Sequence, residues 1–189
     1  VAGKINDVAN LYSFLENTFI KKGTYDEFVV QQIQAVVKNI EANLVKTIKD
    51  NDIKIVCKTE ELSWFVPKGV LIHVFYNLFN NSIYWIDKRR KFAKVDSIYE
   101  YQESDQITVE PYGNDIVVYD TGTGVIKTME DILFEPLESG KPNHEGRGMG
   151  LYIVKKILNS FNANIELLSE RNSYGNRYKF LISLVDEED

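Results

Sequence analysis

The longest regular pattern of apolar and polar positions runs from Val70 to Arg90. Residues four apart share one face of a helix, and apolar or small side chains recur there at that spacing: Leu71, Phe75, Leu78, Ser82 and Ile86. The pattern predicts a helix with this stripe buried. Asn77 and Asn81 project from the edge of the stripe, one turn apart. They are either amides that orient a metal ion or a phosphate, or surface residues on a polar flank.

Two helices are predicted before this one. The first ends near Lys21-Lys22-Gly23 and carries its apolar residues at Val8, Leu11, Tyr12, Leu15 and Phe19. The second continues to about Lys49, with apolar positions at Phe28, Ile33, Val36, Val37, Ile40, Leu44 and Ile48. A short link makes them an antiparallel pair, which either packs on the core or forms a dimerisation or signalling hairpin. We therefore predict a helical segment over 1–50 and a second domain over 51–189.

Strand patterns occupy much of the remaining chain. A partly alternating, β-branched run is found at Ile53–Cys57, and two hairpins are predicted further on: Ile107–Val109 with Ile116–Tyr119, and Ile165–Leu167 with Tyr178–Leu184. Between the hairpins, Val125–Glu145 has little regular pattern, which is typical of either a disordered segment or a functional lid. A helix opens at Gly146–Gly150. These elements indicate an α+β fold.

Composition narrows the functional classes. The chain has 189 residues, of which 44% are hydrophobic, so it can bury one substantial core. Its net charge of −6 argues against a general binder of nucleic acid or acidic membranes. One cysteine and two histidines exclude a disulfide framework and a histidine metal cluster, and favour a reducing, cytoplasmic location. No run in the sequence approaches the length of a transmembrane helix, and no signal-peptide pattern appears in it. Because the first residue is Val1, we expect a piece of a longer protein.

Two stretches carry candidate chemistry. Gly146-Arg147-Gly148-Met149-Gly150 opens a helix, where free N–H groups and the helix dipole favour phosphate. The alternative is an ordinary flexible loop, and the stretch matches neither a Rossmann fingerprint nor a P-loop. Asp120 ends a strand and is followed by Gly122 and Gly124. A buried carboxylate needs hydrogen-bond donors, which the exocyclic amine of adenine would supply. The alternative is a turn residue that binds its own backbone.

The order of these motifs is more specific than any one of them. Asn-x-x-x-Asn on a helix, Asp-x-Gly-x-Gly after a strand, Phe-Glu-Pro and Gly-x-Gly-x-Gly-Leu follow one another along the chain. This resembles the GHKL superfamily of ATP-binding domains, which includes gyrase B, the ninety-kilodalton heat-shock chaperone, histidine kinases and the mismatch-repair ATPase. The segment 132–141 is similar to the F-box, and 148–157 to the G2-box, of bacterial sensor histidine kinases. The resemblance implies a two-layer α/β sandwich (the Bergerat fold) with a mixed, mostly antiparallel sheet and helices on one face.

The resemblance also implies roles for individual residues. Asn81 matches a ligand of the Mg²⁺ that bridges the ATP phosphates, and Asp120 matches the aspartate that reads adenine. The full set implied to bind ATP is Asn77, Asn81, Tyr84, Trp85, Lys88, Asp120, Gly122, Gly124, Val125, Lys141, Gly146, Arg147, Gly148, Met149, Gly150 and Leu151. Trp85 is either an aromatic packed on the nucleotide or a core residue. Lys88 belongs to the basic run 87–91, which otherwise is typical of a solvated helix end.

Three residues depart from the family pattern. Tyr84 stands where many of these kinases have a lysine, so Lys88, Lys141 or Arg147 is expected to supply the charge near the phosphates. Arg147 replaces a small or hydroxyl residue and suits bidentate contact with the γ-phosphate. Tyr178 replaces a threonine, which leaves the adenine contact at that place open.

Two features bear on the functional class: the asparagine at position 77 and the absence of histidine from residues 1–49. The hydrolytic members of the superfamily use a glutamate at the position of Asn77, and an asparagine cannot accept the proton of an attacking water. Residues 1–49 contain no acceptor histidine. The resemblance favours an ATP phosphotransferase of the histidine protein kinase type over an ATP-gated interaction module. Its expected partners are ATP, a histidine-bearing helix in this or another protein, a response regulator and a second copy bound through residues 1–50, with no nucleic acid or membrane contact.

Overall fold

The computed structural model describes residues 28–67, 69–96, 98–99, 104–141 and 148–185. The elements follow in the order β1 (Phe28–Gln32), α1 (Ile33–Asn43), α2 (Val45–Asp50), β2 (Ile53–Cys57), β3 (Ser63–Pro67), α3 (Val70–Ala93), β4 (Asp105–Tyr112), β5 (Asp115–Asp120), α4 (Gly150–Asn159), β6 (Ala163–Leu167) and β7 (Lys179–Leu184). A short 3₁₀ turn spans Lys127–Met129. In the part of the chain thus described, no helix is both long and apolar enough to cross a membrane.

Five strands form one sheet in the order β2-β4-β5-β7-β6. The β2–β4 pair is parallel and the other pairs are antiparallel, which confirms the predicted mixed, mostly antiparallel α+β fold. Alternate strand residues point to opposite faces, so Ile116 and Val118 enter the core while β5 ends with Asp120 on that same helix-covered face. Both predicted hairpins are present, and Gly113 supplies the left-handed turn of the first at φ 64°.

The 24-residue helix α3 packs between α1 and α4 above the sheet. Its predicted stripe is buried throughout, from Leu71 at 0% exposure to Ser82 at 5%. The basic run 87–91, in the last turns of the same helix, is not the solvated helix end that was predicted. Arg89 is only 1% exposed, and its guanidinium binds Asp105 of β4 at 2.5 Å. Pro67 ends β3, and α3 begins after Gly69.

The predicted helix from Phe28 to Lys49 was wrong over its first five residues. Phe28–Gln32 forms a strand that pairs antiparallel with β3, with Val29 opposite Val66. The physical reason is the consecutive pair of β-branched valines, which favour extended backbone, together with a partner strand that covers one face. The rest is helical, as two helices that meet at Leu44 in place of the one predicted. The predicted apolar positions are buried in one core with α3 and the sheet: Ile33, Val36, Val37, Ile40, Leu44 and Ile48.

The first predicted helix lies outside the described residues, so the N-terminal helical pair and the division of the chain at residue 50 stay predictions. What the structure adds is local. The segment from α1 to α2 contributes to the same hydrophobic core as the residues after position 51.

Candidate functional site

A cavity of about 330 Å³ opens between α3, the sheet and the segment that precedes α4. Its lining joins residues that are far apart in sequence: Asn77, Leu78, Asn80, Asn81, Ser82, Trp85, Val118, Asp120, Gly124, Val125, Ile126, Met129, Leu133, Glu138, Ser139, Gly140, Lys141, Gly148, Met149, Gly150, Leu151, Tyr178 and Phe180. Eleven of the sixteen residues predicted from sequence are among them. A largely apolar cavity with a few convergent polar groups is the common form of a small-molecule site.

Asp120 supplies the carboxylate at one end, which we call the carboxylate end. The hydroxyl of Ser82 donates to this side chain, and the Gly122 N–H donates to its Oδ1 at 2.8 Å. Burial disfavours the charged form and raises the pKa of Asp120 from its ordinary value of 3.8 to about 6, against the effect of these two hydrogen bonds. The carboxylate is therefore held in one orientation and can accept a donor from the cavity.

Gly122 lets the chain after β5 pass close to α3. A Cβ at this position would lie 2.9 Å from the backbone carbon of Trp85 and 2.7 Å from Asp120 Oδ1. Two residues on, Gly124 adopts φ 71°, and a Cβ there would lie 2.9 Å from the carbonyl oxygen of Arg177. Both glycines are thus required by close approach of neighbouring backbone.

A buried ion pair supports the carboxylate end from behind. Asp105 is 4% exposed and binds Arg89 and Arg90, each at 2.5 Å. It also accepts a hydrogen bond from the Thr121 hydroxyl at 2.6 Å, which fixes the residue next to Asp120. Charges buried this deeply are tolerated only when paired and hydrogen-bonded. This support was missed from sequence, because Arg89 stood in a basic run without a visible partner.

The two asparagines of α3 lie at the other end, which we call the amide end. Asn77 Nδ2 donates to the carbonyl of His73 one turn back, at 2.9 Å. The first residue of α4 meets both amides: a Cβ at Gly150 would lie 3.2 Å from Asn77 Oδ1 and 3.8 Å from Asn81 Nδ2. The Lys141 ammonium donates to Asn81 Oδ1 at 3.1 Å. The amide end is therefore built from side chains of α3, the α4 N-terminus and one lysine.

Gly148 precedes α4 and lies in close contact with the backbone of Leu137 and Glu138. It adopts φ 65°, and a Cβ would overlap Glu138 and lie 2.6 Å from the backbone carbon of Leu137. Its carbonyl accepts the Leu137 N–H at 3.1 Å. Leu137 itself has φ 66°, an unusual conformation for a leucine. The first N–H groups of α4 have no intrahelical partner. Through Gly148, this end of the helix packs against the segment that carries Lys141.

The remaining predicted residues are not in the cavity lining. Gly122 lies behind Asp120, while Tyr84 and Lys88 lie beside the amide end, where the Lys88 ammonium is 5.2 Å from the centre of the Tyr84 ring. Gly146 and Arg147 fall outside the described residues, so their predicted contacts are untested.

Trp85 lines the cavity, and a Cβ on Gly140 would lie 3.4 Å from its ring.

The first part of the predicted lid has regular contacts. The Val125 N–H donates to the carbonyl of Arg177 at 2.7 Å. The Glu130 carboxylate then binds Arg171 at 2.7 Å and Arg177 at 3.1 Å, which holds its pKa below the ordinary value. Val125 and Glu130, in the first part of the lid, are therefore both bound to the connection between β6 and β7.

Sequence reasoning also missed several residues of the lining. Ser82 was assigned only to the buried stripe, yet its hydroxyl reaches Asp120. A hydroxyl within an otherwise apolar stripe was the available signal. Tyr178 was noted as a departure, and it lines the cavity with Phe180 while packing edge-on against Tyr119 at 5.8 Å.

The polar groups of the cavity suit a cation such as Mg²⁺ that is held partly by phosphate oxygens. They do not suit a metal ion held by several protein ligands. Within the described ranges, no group of three or more histidine, cysteine, aspartate or glutamate side chains could hold a metal ion. Mg²⁺ keeps several waters and takes few protein oxygens when it binds beside phosphates. Asn81 Oδ1 fits this role, because a cationic ammonium already lies against it.

A model of the histidine kinase-, DNA gyrase B-, and HSP90-like ATPase family matches residues 67–186. Among curated proteins, the chain is 29% identical over 101 residues to the autoinducer 1 sensor kinase/phosphatase LuxN of Vibrio campbellii, covering 53% of this chain and 11% of LuxN. It is 24% identical to hybrid signal transduction histidine kinase A of Dictyostelium discoideum, over 94% of this chain and 8% of that protein. The chain thus spans about a tenth of the length of these relatives.

Solved structures share the fold. The nucleotide-free catalytic domain of histidine kinase ThkA matches with a TM-score of 0.60 and 18% identity, over 82% of this chain and 93% of that one. Full-length ShkA in complex with AMPPNP matches with a TM-score of 0.60 and 16% identity, over 82% of this chain and 30% of that one.

Proposed function

The chain belongs to the histidine kinase-, DNA gyrase B-, and HSP90-like ATPase family, and from this premise we propose that it binds Mg-ATP and presents the γ-phosphate to a histidine outside residues 1–189. One observation carries the proposal. A single cavity has a fixed carboxylate, Asp120, at one end and the Asn81–Lys141 pair beside the α4 N-terminus at the other. An adenine nucleotide has the complementary chemistry at its two ends.

At the carboxylate end, Asp120 accepts the exocyclic amine of adenine. Ser82 and Gly122 hold the carboxylate in place, so little order has to be created on binding. Val118 and Leu78 offer apolar surface to the faces of the base. Trp85 packs along the nucleotide next to Gly140. Guanine carries an oxygen where adenine carries the amine, so the carboxylate repels it.

At the amide end, the triphosphate lies near Lys141 and the N-terminus of α4. The N–H groups of the first turn and the helix dipole favour negative charge, with Gly148 and Gly150 allowing close approach. Asn81 would hold Mg²⁺, which supplies charge neutralisation between the phosphate oxygens when bound. Gly146 and Arg147 are proposed to complete this end.

The residues present favour transfer over hydrolysis. Phosphoryl transfer depends on positioning, on charge stabilisation and on a nucleophile that is activated or oriented. Asn77, whose amide bonds His73, cannot take a proton from water. We therefore propose that the acceptor is a histidine on a helix of the same or a partner protein, that a response regulator receives the phosphoryl group next, that residues 1–50 mediate dimerisation, and that the domain works in the cytoplasm.

An ATP-gated interaction module is the second candidate. It is favoured by the contacts that the described segment 125–141 makes with both α3 and the β6–β7 connection, since nucleotide binding between them would change these contacts. In this alternative no phosphoryl group leaves the nucleotide. Incubating the full-length protein with γ-labelled ATP separates the two: acid-labile, alkali-stable label supports the kinase, and absence of label on itself or any partner supports the module.

Isothermal titration of the 189-residue chain with Mg-ATP tests nucleotide binding itself. We expect binding by the wild type and a loss of affinity on the order of 30-fold in Asp120→Asn, because a charge-assisted hydrogen bond is lost. Asp50→Asn is the matched control, since that carboxylate is exposed at the end of α2, and it should bind as the wild type does. A wild type that does not bind ATP, or an Asp120→Asn variant of unchanged affinity, contradicts the proposal.

A further inference from the structure

The Lys141 ammonium makes two different contacts with α3. Its Nζ donates to Asn81 Oδ1 at 3.1 Å and lies 4.3 Å from the centre of the Tyr84 ring. The face of an aromatic ring attracts a cation, and a neutral amide oxygen is a good hydrogen-bond acceptor for one. Tyr84 and Asn81 lie three residues apart on the helix and therefore on neighbouring positions of its surface. Together they form what we call the cation seat.

The cation seat coincides with the place where a divalent metal would bind. Asn81 Oδ1 is the oxygen proposed as the metal ligand, and Lys141 donates to that same atom. An ammonium and a divalent ion on one amide oxygen would repel each other strongly in this partly buried cavity. Lys141 must therefore leave Asn81 when the metal arrives, and the negative charge of the bound phosphates then attracts its ammonium.

We propose that Lys141 is the resident cation of the site, positioned by Tyr84, and that it exchanges with the divalent metal at Asn81. The inference rests on the proposed binding of ATP and adds how the site manages its charge. Before the metal binds, the ammonium satisfies the amide oxygen. When nucleotide arrives without metal, the same ammonium neutralises part of the triphosphate. When metal is present, the ion takes Asn81 and Lys141 becomes less important for affinity.

Tyr84 has a specific part in this arrangement. A lysine side chain is long and flexible, and it loses rotamer freedom when it is held in one place. The ring reduces that cost by offering the ammonium a second attractive contact beside Asn81. The ammonium lies over the face of the ring, so phenylalanine should be able to replace Tyr84 and leucine should not.

The experiment compares ATP affinity in excess Mg²⁺ and in EDTA by isothermal titration of the 189-residue chain. The measured quantity is the ratio of the Kd in EDTA to the Kd in Mg²⁺. In Lys141→Met we expect this ratio to rise about tenfold, because the charged hydrogen bond is lost mainly when no metal is present. In Tyr84→Leu we expect a rise of about threefold, in keeping with the loss of one partly exposed cation–π contact.

Two variants serve as controls. Tyr84→Phe should keep the wild-type ratio, because the ring face remains. Lys156→Met removes another ammonium that lies over a tyrosine ring, 5.6 Å from the centre of Tyr152 on the exposed side of α4, and should also keep the wild-type ratio. Thermal melting without nucleotide verifies that each variant is folded before its affinities are compared.

An unchanged ratio in Lys141→Met, or equal ratios in Tyr84→Phe and Tyr84→Leu, would overturn the exchange. Failure of the wild type to bind ATP under either condition would instead overturn the proposed function. The two failures are therefore distinguishable. A ratio that rises in Lys141→Met and Tyr84→Leu, with both controls unchanged, supports the cation seat.

Discussion

The carboxylate end and the amide end of the cavity are built in different ways. Asp120 is fixed by a backbone N–H, a buried hydroxyl and, through Thr121, a buried ion pair. Asn81 is contacted by the end of a lysine side chain, a contact that can exchange. The difference indicates that the end proposed to recognise the base is formed before any ligand binds, whereas the end proposed to hold the phosphates keeps its charges adjustable.

The largest expected effect tests the rigidity of the carboxylate end. Asp105→Ala should lower the free energy of unfolding by about 3–5 kcal/mol, because it leaves the buried Arg89 charge without its carboxylate. Urea denaturation followed by circular dichroism measures this. Glu110→Ala is the matched control: its partner Lys58 is more than half exposed, at 56%, so solvent screens this pair and the loss should be much smaller. Equal losses in the two variants would contradict the view that this end is the more rigid.

A smaller effect is expected from the glycine beside the amide end. Gly148→Ala combines a left-handed φ of 65° with overlap of the Leu137–Glu138 backbone. Gly113→Ala has the same strain, at φ 64°, with nothing within 4 Å. We expect about 1 kcal/mol of destabilisation at Gly113 and about 2–3 kcal/mol at Gly148.

Urea denaturation of both variants measures the difference, and titration with ATP measures its consequence. The Gly148 variant should lose affinity, since the segment carrying Lys141 must shift, while the Gly113 variant should not. If both cost the same free energy and bind ATP equally, the contact between Gly148 and Leu137 has no role in shaping the amide end.

The smallest effect is a pH dependence that belongs to the carboxylate end alone. Asp120 has its pKa raised to about 6 by burial. An amine donor needs the ionised carboxylate, so affinity for ATP should fall as pH drops through 6, approaching about tenfold per unit below it. The phosphates of ATP also titrate, and Asp120→Asn measures that background. The ratio of wild-type to variant affinity should therefore fall between pH 7 and pH 5, and a constant ratio would contradict the assignment.

The raised pKa of Asp120 has the opposite effect on the stability of the protein without ligand. A carboxyl with a raised folded-state pKa binds a proton more readily when folded than when unfolded. The contribution of Asp120 to stability therefore increases as pH falls from 7 towards 4, while its contribution to ATP binding decreases. Measuring both over one pH series separates the titration of Asp120 from general acid effects.

Local patterns were enough to predict most of the secondary structure. The stripe from Leu71 to Ile86 is buried as predicted, since helical periodicity is set by residues within one or two turns. Hairpins were likewise predictable from alternation and turn residues such as Gly113. The strand Phe28–Gln32 was not, because its apolar residues also continue a helical stripe. Its two valines suit either form, and the pairing with Ser63–Pro67, more than thirty residues later, decides for the extended one.

The candidate site divides in the same way. The sequence by itself determined which residue types are present and in what order: paired asparagines, an aspartate before glycines, and a glycine-rich helix start. Tertiary structure decided which of them meet. It buried Arg89 against Asp105, sixteen residues away, and brought Lys141 to Asn81, sixty residues away. The physical reason is that ion pairs and hydrogen bonds depend on distances of about 3 Å, which local periodicity does not specify and the packing of α3 on the sheet does.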